Sequence, residues 1–189
     1  MNRRSTFRTL LARAMVALWF ATGGVNAAPP PATDSIYQLD LALTNQRGAE
    51  ATLAAWRGKP VIVTMFYTAC QFVCPRIVET IKLTQARLAT PLPVLMVTLD
   101  PARDDSAALA AMAEERHLDP KRWTLAHTDP RNVRKLAAAL GIQYRELASG
   151  EFNHSSVILL LDGEGRIVAR TTTLGEVDAG FVKATQMVK

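Results

Sequence analysis

Hydrophobic residues in this chain fall into short continuous runs separated by segments of helical spacing. Val61-Ile62-Val63-Thr64-Met65-Phe66-Tyr67 and Val94-Leu95-Met96-Val97-Thr98-Leu99 are nearly unbroken apolar stretches of strand length, the second ended by Asp100-Pro101. Runs of this kind belong to strands covered on both faces, as in parallel sheets. Ile36-Tyr37-Gln38-Leu39-Asp40-Leu41 is expected to form a first strand. After Pro75, the apolar positions Ile77, Val78, Ile81, Leu83 and Leu88 predict a helix, with proline at its first position, where the missing N–H has no role. Asp104 or Asp105 can cap a second helix running through Leu109, Met112 and Ala113 to about His117. Trp123-Thr124-Leu125-Ala126-His127 follows as a third parallel strand, and Asp129-Pro130 opens a helix over 132–140 that Gly141 ends. The chain closes with an apolar strand over 156–161, a turn at Asp162-Gly163-Glu164-Gly165, a strand over 166–170 and a short helix.

That order is strand, helix, strand, helix, strand, helix, hairpin, helix. It is an α/β fold of the thioredoxin-like kind, a central mixed sheet flanked by helices, with extra N-terminal strands. The N-terminus has a different character. Arg3, Arg4, Arg8 and Arg13 lead into Ala14-Met15-Val16-Ala17-Leu18-Trp19-Phe20-Ala21, then small residues ending Val25-Asn26-Ala27. This predicts a secretory signal peptide over 1–27, cleaved after Ala27 or Ala28, a linker over 28–34 and one domain over 35–189. An uncleaved anchor is the competing reading; the apolar stretch is about a dozen residues against the roughly 20 a spanning helix needs. No cysteine stands directly after the apolar run, so a lipid-anchored form is not expected.

Without the four arginines of that segment the net charge of +5 falls to +1. A nucleic-acid partner loses its electrostatic footing. Export also places the cysteines in an oxidising or redox-controlled compartment, expected to be the periplasm.

The chain has two cysteines, Cys70 and Cys74, between the first long apolar run and the first predicted helix. Unpaired N–H groups of a first helical turn stabilise thiolates, so the pair is suited to redox chemistry or metal binding. A structural disulfide is the plain alternative, but closing so short a loop removes little entropy from the unfolded chain. Two thiols at i and i+4 lie on one side of a helical turn, and a distant imidazole can complete a three-coordinate site. Sulfur ligands favour Cu(I), and imidazole lets the same site hold Cu(II).

Three segments, in order, resemble the SCO/SenC proteins, thioredoxin-fold copper chaperones linked to cytochrome c oxidase assembly. Phe66-Tyr67-Thr68-Ala69-Cys70-Gln71-Phe72-Val73-Cys74-Pro75 is similar to the family's F-Y-T-x-C-x-x-x-C-P signature. Asp100-Pro101-Ala102-Arg103-Asp104 resembles its D-P-x-R-D segment, and Asn153-His154-Ser155-Ser156 its histidine motif before a strand. The resemblance implies that Cys70, Cys74 and His154 ligate copper. Asp100 is then either an outer partner of the site or a helix-entry cap. It further implies a monomer whose partners are a copper-accepting oxidase subunit or another copper carrier, and a thiol-disulfide reductant. Any membrane association would run through the N-terminus.

Other readings use the same residues. A thiol-disulfide oxidoreductase would attack with Cys70 and resolve with Cys74, although the spacing is C-x-x-x-C and the segment before the 156–161 strand carries His154 and no proline. A thiol peroxidase is suggested by Phe72-Val73-Cys74-Pro75, but Gln71 and Tyr67 stand where that chemistry wants a threonine or serine and a proline. A copper or redox sensor could use the same three ligands. His117 reads as a helix C-terminal cap and His127 as a loop residue, while Met65 and Met96 read as core. When the full chain is expressed with export machinery, intact-mass measurement of the recovered protein should place its first residue at Ala28 or Pro29; a full-length mass would establish the anchor instead.

Overall fold

The computed structural model describes residues 33–188, so the predicted signal segment and most of the linker lie outside the described residues. A seven-stranded mixed sheet forms the centre, in the order β2-β1-β5-β4-β3-β8-β9. Its middle is parallel: β3 (Val61–Phe66) pairs with β4 (Val94–Thr98), and β4 with β5 (Trp123–His127). To one side β1 (Ala42–Asn45) joins β5 antiparallel and carries β2 (Glu50–Thr52) at the edge. To the other, β8 (Ile158–Leu161) runs antiparallel to β3 and carries β9 (Ile167–Thr171). A separate two-stranded sheet, β6 (Tyr144–Glu146) with β7 (Phe152–His154), stands outside this order.

Both faces of the central strands are covered, which is why their sequences are continuously apolar. Val61, Val63 and Met65 of β3 pack with Val133, Leu136 and Leu140 of α3 (Pro130–Leu140). Ile62 and Phe66, of opposite parity, face α1 (Val73–Gln85), α2 (Ser106–Glu115) and α4 (Ala179–Met187) through Ile77, Ile81, Leu109 and Phe181. Alternating side-chain direction along one strand thus serves two cores. Met65 and Met96 are fully buried in them. The polar Thr64 is buried too, and its hydroxyl donates to the Val157 carbonyl at 2.8 Å, tying β3 to the chain just before β8.

Three expectations change. Residues 36–41 are not a strand: Ile36–Gln38 form one 3-10 turn, with the Ser35 hydroxyl accepting the Tyr37 N–H at 3.1 Å and Ile36 donating to the Gly165 carbonyl at 3.0 Å. Ile36 and Tyr37 are consecutive and both buried, which a one-sided strand does not permit. Helix α1 begins at Val73, so Pro75 is its third residue rather than its first; the first four N–H groups of a helix have no internal partner, so proline is tolerated there as well. The segment between α3 and β8, to which the sequence pattern assigns no element, forms the β6–β7 hairpin. His127 is the last residue of β5 and not in a loop, while His117 takes φ 51° just past α2, a left-handed helix end. Asp105 caps α2 through the Ala108 N–H at 2.8 Å, which leaves Asp100 and Asp104 for other work. No described helix is long and apolar enough to cross a membrane.

Replacing Thr64 by valine keeps its shape but deprives the Val157 carbonyl of its donor. Urea unfolding should show a loss of about 1–3 kcal/mol for Thr64→Val, with Thr64→Ser retaining more of the stability.

Candidate metal centre

At the carboxyl end of β3 the chain leaves the sheet, turns through Tyr67 to Cys70 with the Cys70 N–H on the Tyr67 carbonyl at 3.2 Å, and enters α1 at Val73. The two cysteines do not share a helical turn as their spacing suggested. Cys70 precedes the helix and folds back over its open end, where its Sγ accepts the Cys74 N–H at 3.3 Å. Both are reduced and buried. His154 ends β7, opposite Tyr144 of β6. The hairpin swings this imidazole to the thiols, and ligand atoms of Cys70, Cys74 and His154 all lie within 4.8 Å of one another.

The two thiols differ sharply. Hydrogen bonds from the Cys74 thiol, from His154 and from the Cys74 and Val73 N–H groups push the Cys70 pKa far below the ordinary thiol range, against the opposing effect of burial. Cys74 moves upward, because its thiol donates to Cys70 and because it is the more deeply buried of the two. Without metal the pair is a Cys70 thiolate held by a Cys74 thiol. A peroxidase nucleophile at Cys74 would need the reverse. Burial raises the pKa of Tyr67, whose hydroxyl meets both the Phe152 backbone and the Cys70 sulfur. Its ring packs on Phe152 at a centroid distance of 5.3 Å and edge-on to His154 at 6.0 Å. Tyr67 therefore bridges the dithiol and the hairpin.

Two more side chains set the site's shape. Asp104, 1% exposed, accepts hydrogen bonds from the Thr68 backbone at 2.9 Å and from the Thr68 and Thr98 hydroxyls. It fixes the loop two residues before Cys70 to the end of β4. Arg103 pairs with Asp100 and also donates to the Gly150 carbonyl at the hairpin tip. Asp100 thus neither caps α2 nor belongs to the cluster of atoms that could hold a metal; its carboxylate serves Arg103. Tyr67, Thr68, Arg103 and Asp104 all lie within segments whose pattern is visible in the sequence, but their tasks depend on contacts between segments far apart in the chain.

Thiolate, thiol and imidazole at this separation suit a soft ion that tolerates low coordination, above all Cu(I). Among known proteins, the sequence model of the SCO1/SenC family matches residues 30–188. The mouse mitochondrial SCO2 homolog is 33% identical over 89 residues, covering 44% of this chain and 34% of that protein. The chain spans 33–52% of the length of the curated relatives it matches. Bradyrhizobium japonicum ScoI, solved with copper bound, superposes with a TM-score of 0.58 at 25% identity, covering 69% of this chain and 85% of that one. Arabidopsis thaliana ScoI, also with copper bound, shares the fold at a TM-score of 0.67 and 19% identity, over 77% of this chain and 95% of that one.

A thiol with an ordinary pKa loses alkylation rate about tenfold per pH unit below roughly 8.5. Because the folded-state pKa of Cys70 is depressed, its thiolate persists as the pH falls, and iodoacetamide should label Cys70 at a nearly constant rate from pH 8 to 5 in the metal-free reduced protein, as read by peptide mass spectrometry. Tenfold decay per unit over that range would contradict the assigned asymmetry.

Proposed function

Because the chain belongs to the SCO1/SenC family, we propose that it is a periplasmic copper-binding chaperone that delivers copper to, or keeps reduced the cysteines of, the dinuclear copper site of a respiratory cytochrome oxidase. The convergence of Cys70, Cys74 and His154 carries this reading. It is supported by the copper found in Bradyrhizobium japonicum ScoI. Cys70 and Cys74 supply the sulfur ligands and His154 the nitrogen. With Nδ1 against the Ser155 carbonyl at 3.2 Å, a proton there leaves the lone pair of Nε2 available to metal. Asp100 contributes indirectly, by holding Arg103 against the tip of the hairpin that carries His154.

Such a protein must let its cargo go, and the site has a means. Both sulfurs can be protonated, so acid releases metal, and oxidation of the pair to a disulfide removes two ligands at once. The same asymmetry favours a second reading, thiol-disulfide reduction, with Cys70 as the attacking thiolate and Cys74 as the resolving thiol. In that role the protein would act as a monomeric reductant of an oxidase subunit's cysteines, recharged by a separate thiol donor.

Anaerobic titration of the reduced protein should show one tightly held Cu(I) per chain, and His154→Ala should weaken Cu(II) retention by about tenfold or more while leaving a sulfur-bound Cu(I) site. Absence of stoichiometric copper binding by wild type would remove the chaperone reading. Turnover on a protein disulfide, measured in parallel, would then favour the reductase.

A further inference from the structure

Phe72 stands between the two sulfur ligands and is 84% exposed, the most exposed of the large hydrophobic side chains described. Neither packing nor local structure accounts for it. It occupies the N-cap of α1 with φ −110° and ψ −50° and supplies no side-chain cap, at a position where serine, threonine, aspartate or asparagine would satisfy a free N–H. A residue that breaks a local rule without a compensating contact marks a place shaped by function.

Its surroundings are as informative. From Thr68 to Pro75 the chain carries no charged residue, and Gln71 and Ala69 are exposed beside it. Across the cluster, the residues flanking His154 are Asn153, Ser155 and Ser156, also uncharged. The two segments that carry the sulfurs and the imidazole are thus uncharged in themselves, one aromatic ring projects from the first, and charge begins just outside them, at Arg76 and at Arg145 opposite Asn153. Interface centres have this composition, depleted of charge and anchored by aromatic side chains, while charged residues keep to the periphery.

We propose that Phe72 is the docking anchor for the protein that exchanges copper with this site, and that it enters an apolar pocket beside that partner's own metal ligands. The inference rests on the chaperone reading. The exchange passes Cu(I) between sulfur and imidazole ligands with no change of oxidation state: bonds to Cys70, Cys74 and His154 break as bonds to the acceptor's thiolates form, one proton from the acceptor's thiols is taken up by Cys74 while Cys70 is left as the thiolate, and any other proton passes to solvent. Partner ligands must then come within bonding distance of sulfurs that are 8% and 1% exposed in their residues. Phe72 stands between them in the chain and projects into solvent, so a surface that approaches the sulfurs is expected to meet its ring. A polar or charged partner face would leave that ring in water or bury its own charges against it, whereas an apolar pocket removes the ring from water.

The test follows Cu(I) transfer by stopped flow from the loaded protein to two acceptors: the metal-free soluble dinuclear-copper domain of a respiratory oxidase subunit, and the small chelator bathocuproine disulfonate. Phe72→Ser should slow transfer to the protein domain by about tenfold or more, as loss of an aromatic anchor does. Transfer to the chelator and Cu(I) affinity should stay within about twofold of wild type, and Phe72→Leu should keep most of the protein-directed rate. Equal slowing with both acceptors would place the effect in the metal site and overturn the proposal, as would an unchanged rate with the domain. Sedimentation velocity supplies a further check: dimerisation of wild type that Phe72→Ser abolishes would assign the ring to self-association and overturn it as well. If wild type fails to hold Cu(I), the chaperone reading itself fails; reduction of the domain's disulfide that still slows tenfold in Phe72→Ser would then support docking at this ring, and an unchanged reduction rate would overturn it.

Discussion

The site depends on one anion meeting one helix end. Cys70 Sγ lies over the first turn of α1, where N–H groups have no partner within the helix, and it takes the Cys74 amide and the Cys74 thiol as donors. A thiolate elsewhere in so buried a position would carry a severe desolvation penalty. Here the helix opening, the second thiol and the imidazole offset it together. The remaining architecture places that opening: β3 delivers the loop to the sheet's carboxyl end, Asp104 pins the loop to β4, and α1 packs its buried face on the strands below.

Two lines of support reach the site from opposite sides. Asp104 holds the cysteine loop through Thr68 and Thr98, all within the main sheet's environment. The imidazole arrives on a hairpin that is not part of that sheet and is attached through Tyr67 and Phe152 on one side and Arg103 and Gly150 on the other. The dithiol is therefore built into the core, and the histidine is brought to it.

This division also explains what the sequence made legible. The parallel strands β3, β4 and β5 announce themselves because both faces are covered, so every residue of β3 and β4 is buried. Helix α3 was readable from Asp129-Pro130 at its start and Gly141 at its end, since caps act locally. The β6–β7 hairpin was not readable: its strands are three residues each and half exposed, so they carry neither a continuous apolar run nor a clean alternation. The 3-10 turn at Ile36–Gln38 was misread because its burial comes from contact with a distant turn at Gly165. At the site, the residue types Cys70, Cys74 and His154 could be picked from their patterns, but the tasks of Tyr67, Arg103 and Asp104 exist only through pairings of segments remote in sequence.

The separation of the ligands along the chain has a topological consequence. An ion held by Cys70 and Cys74 alone ties a five-residue segment and hardly constrains the unfolded chain. Adding His154 makes the ion a cross-link that closes a loop of about eighty residues, the kind whose closure most reduces the entropy of the disordered state. A third ligand at His154 would therefore reach beyond the coordination shell: with it engaged, the ion would staple the fold, and with the hairpin released, the same ion would sit on the protein without holding it together.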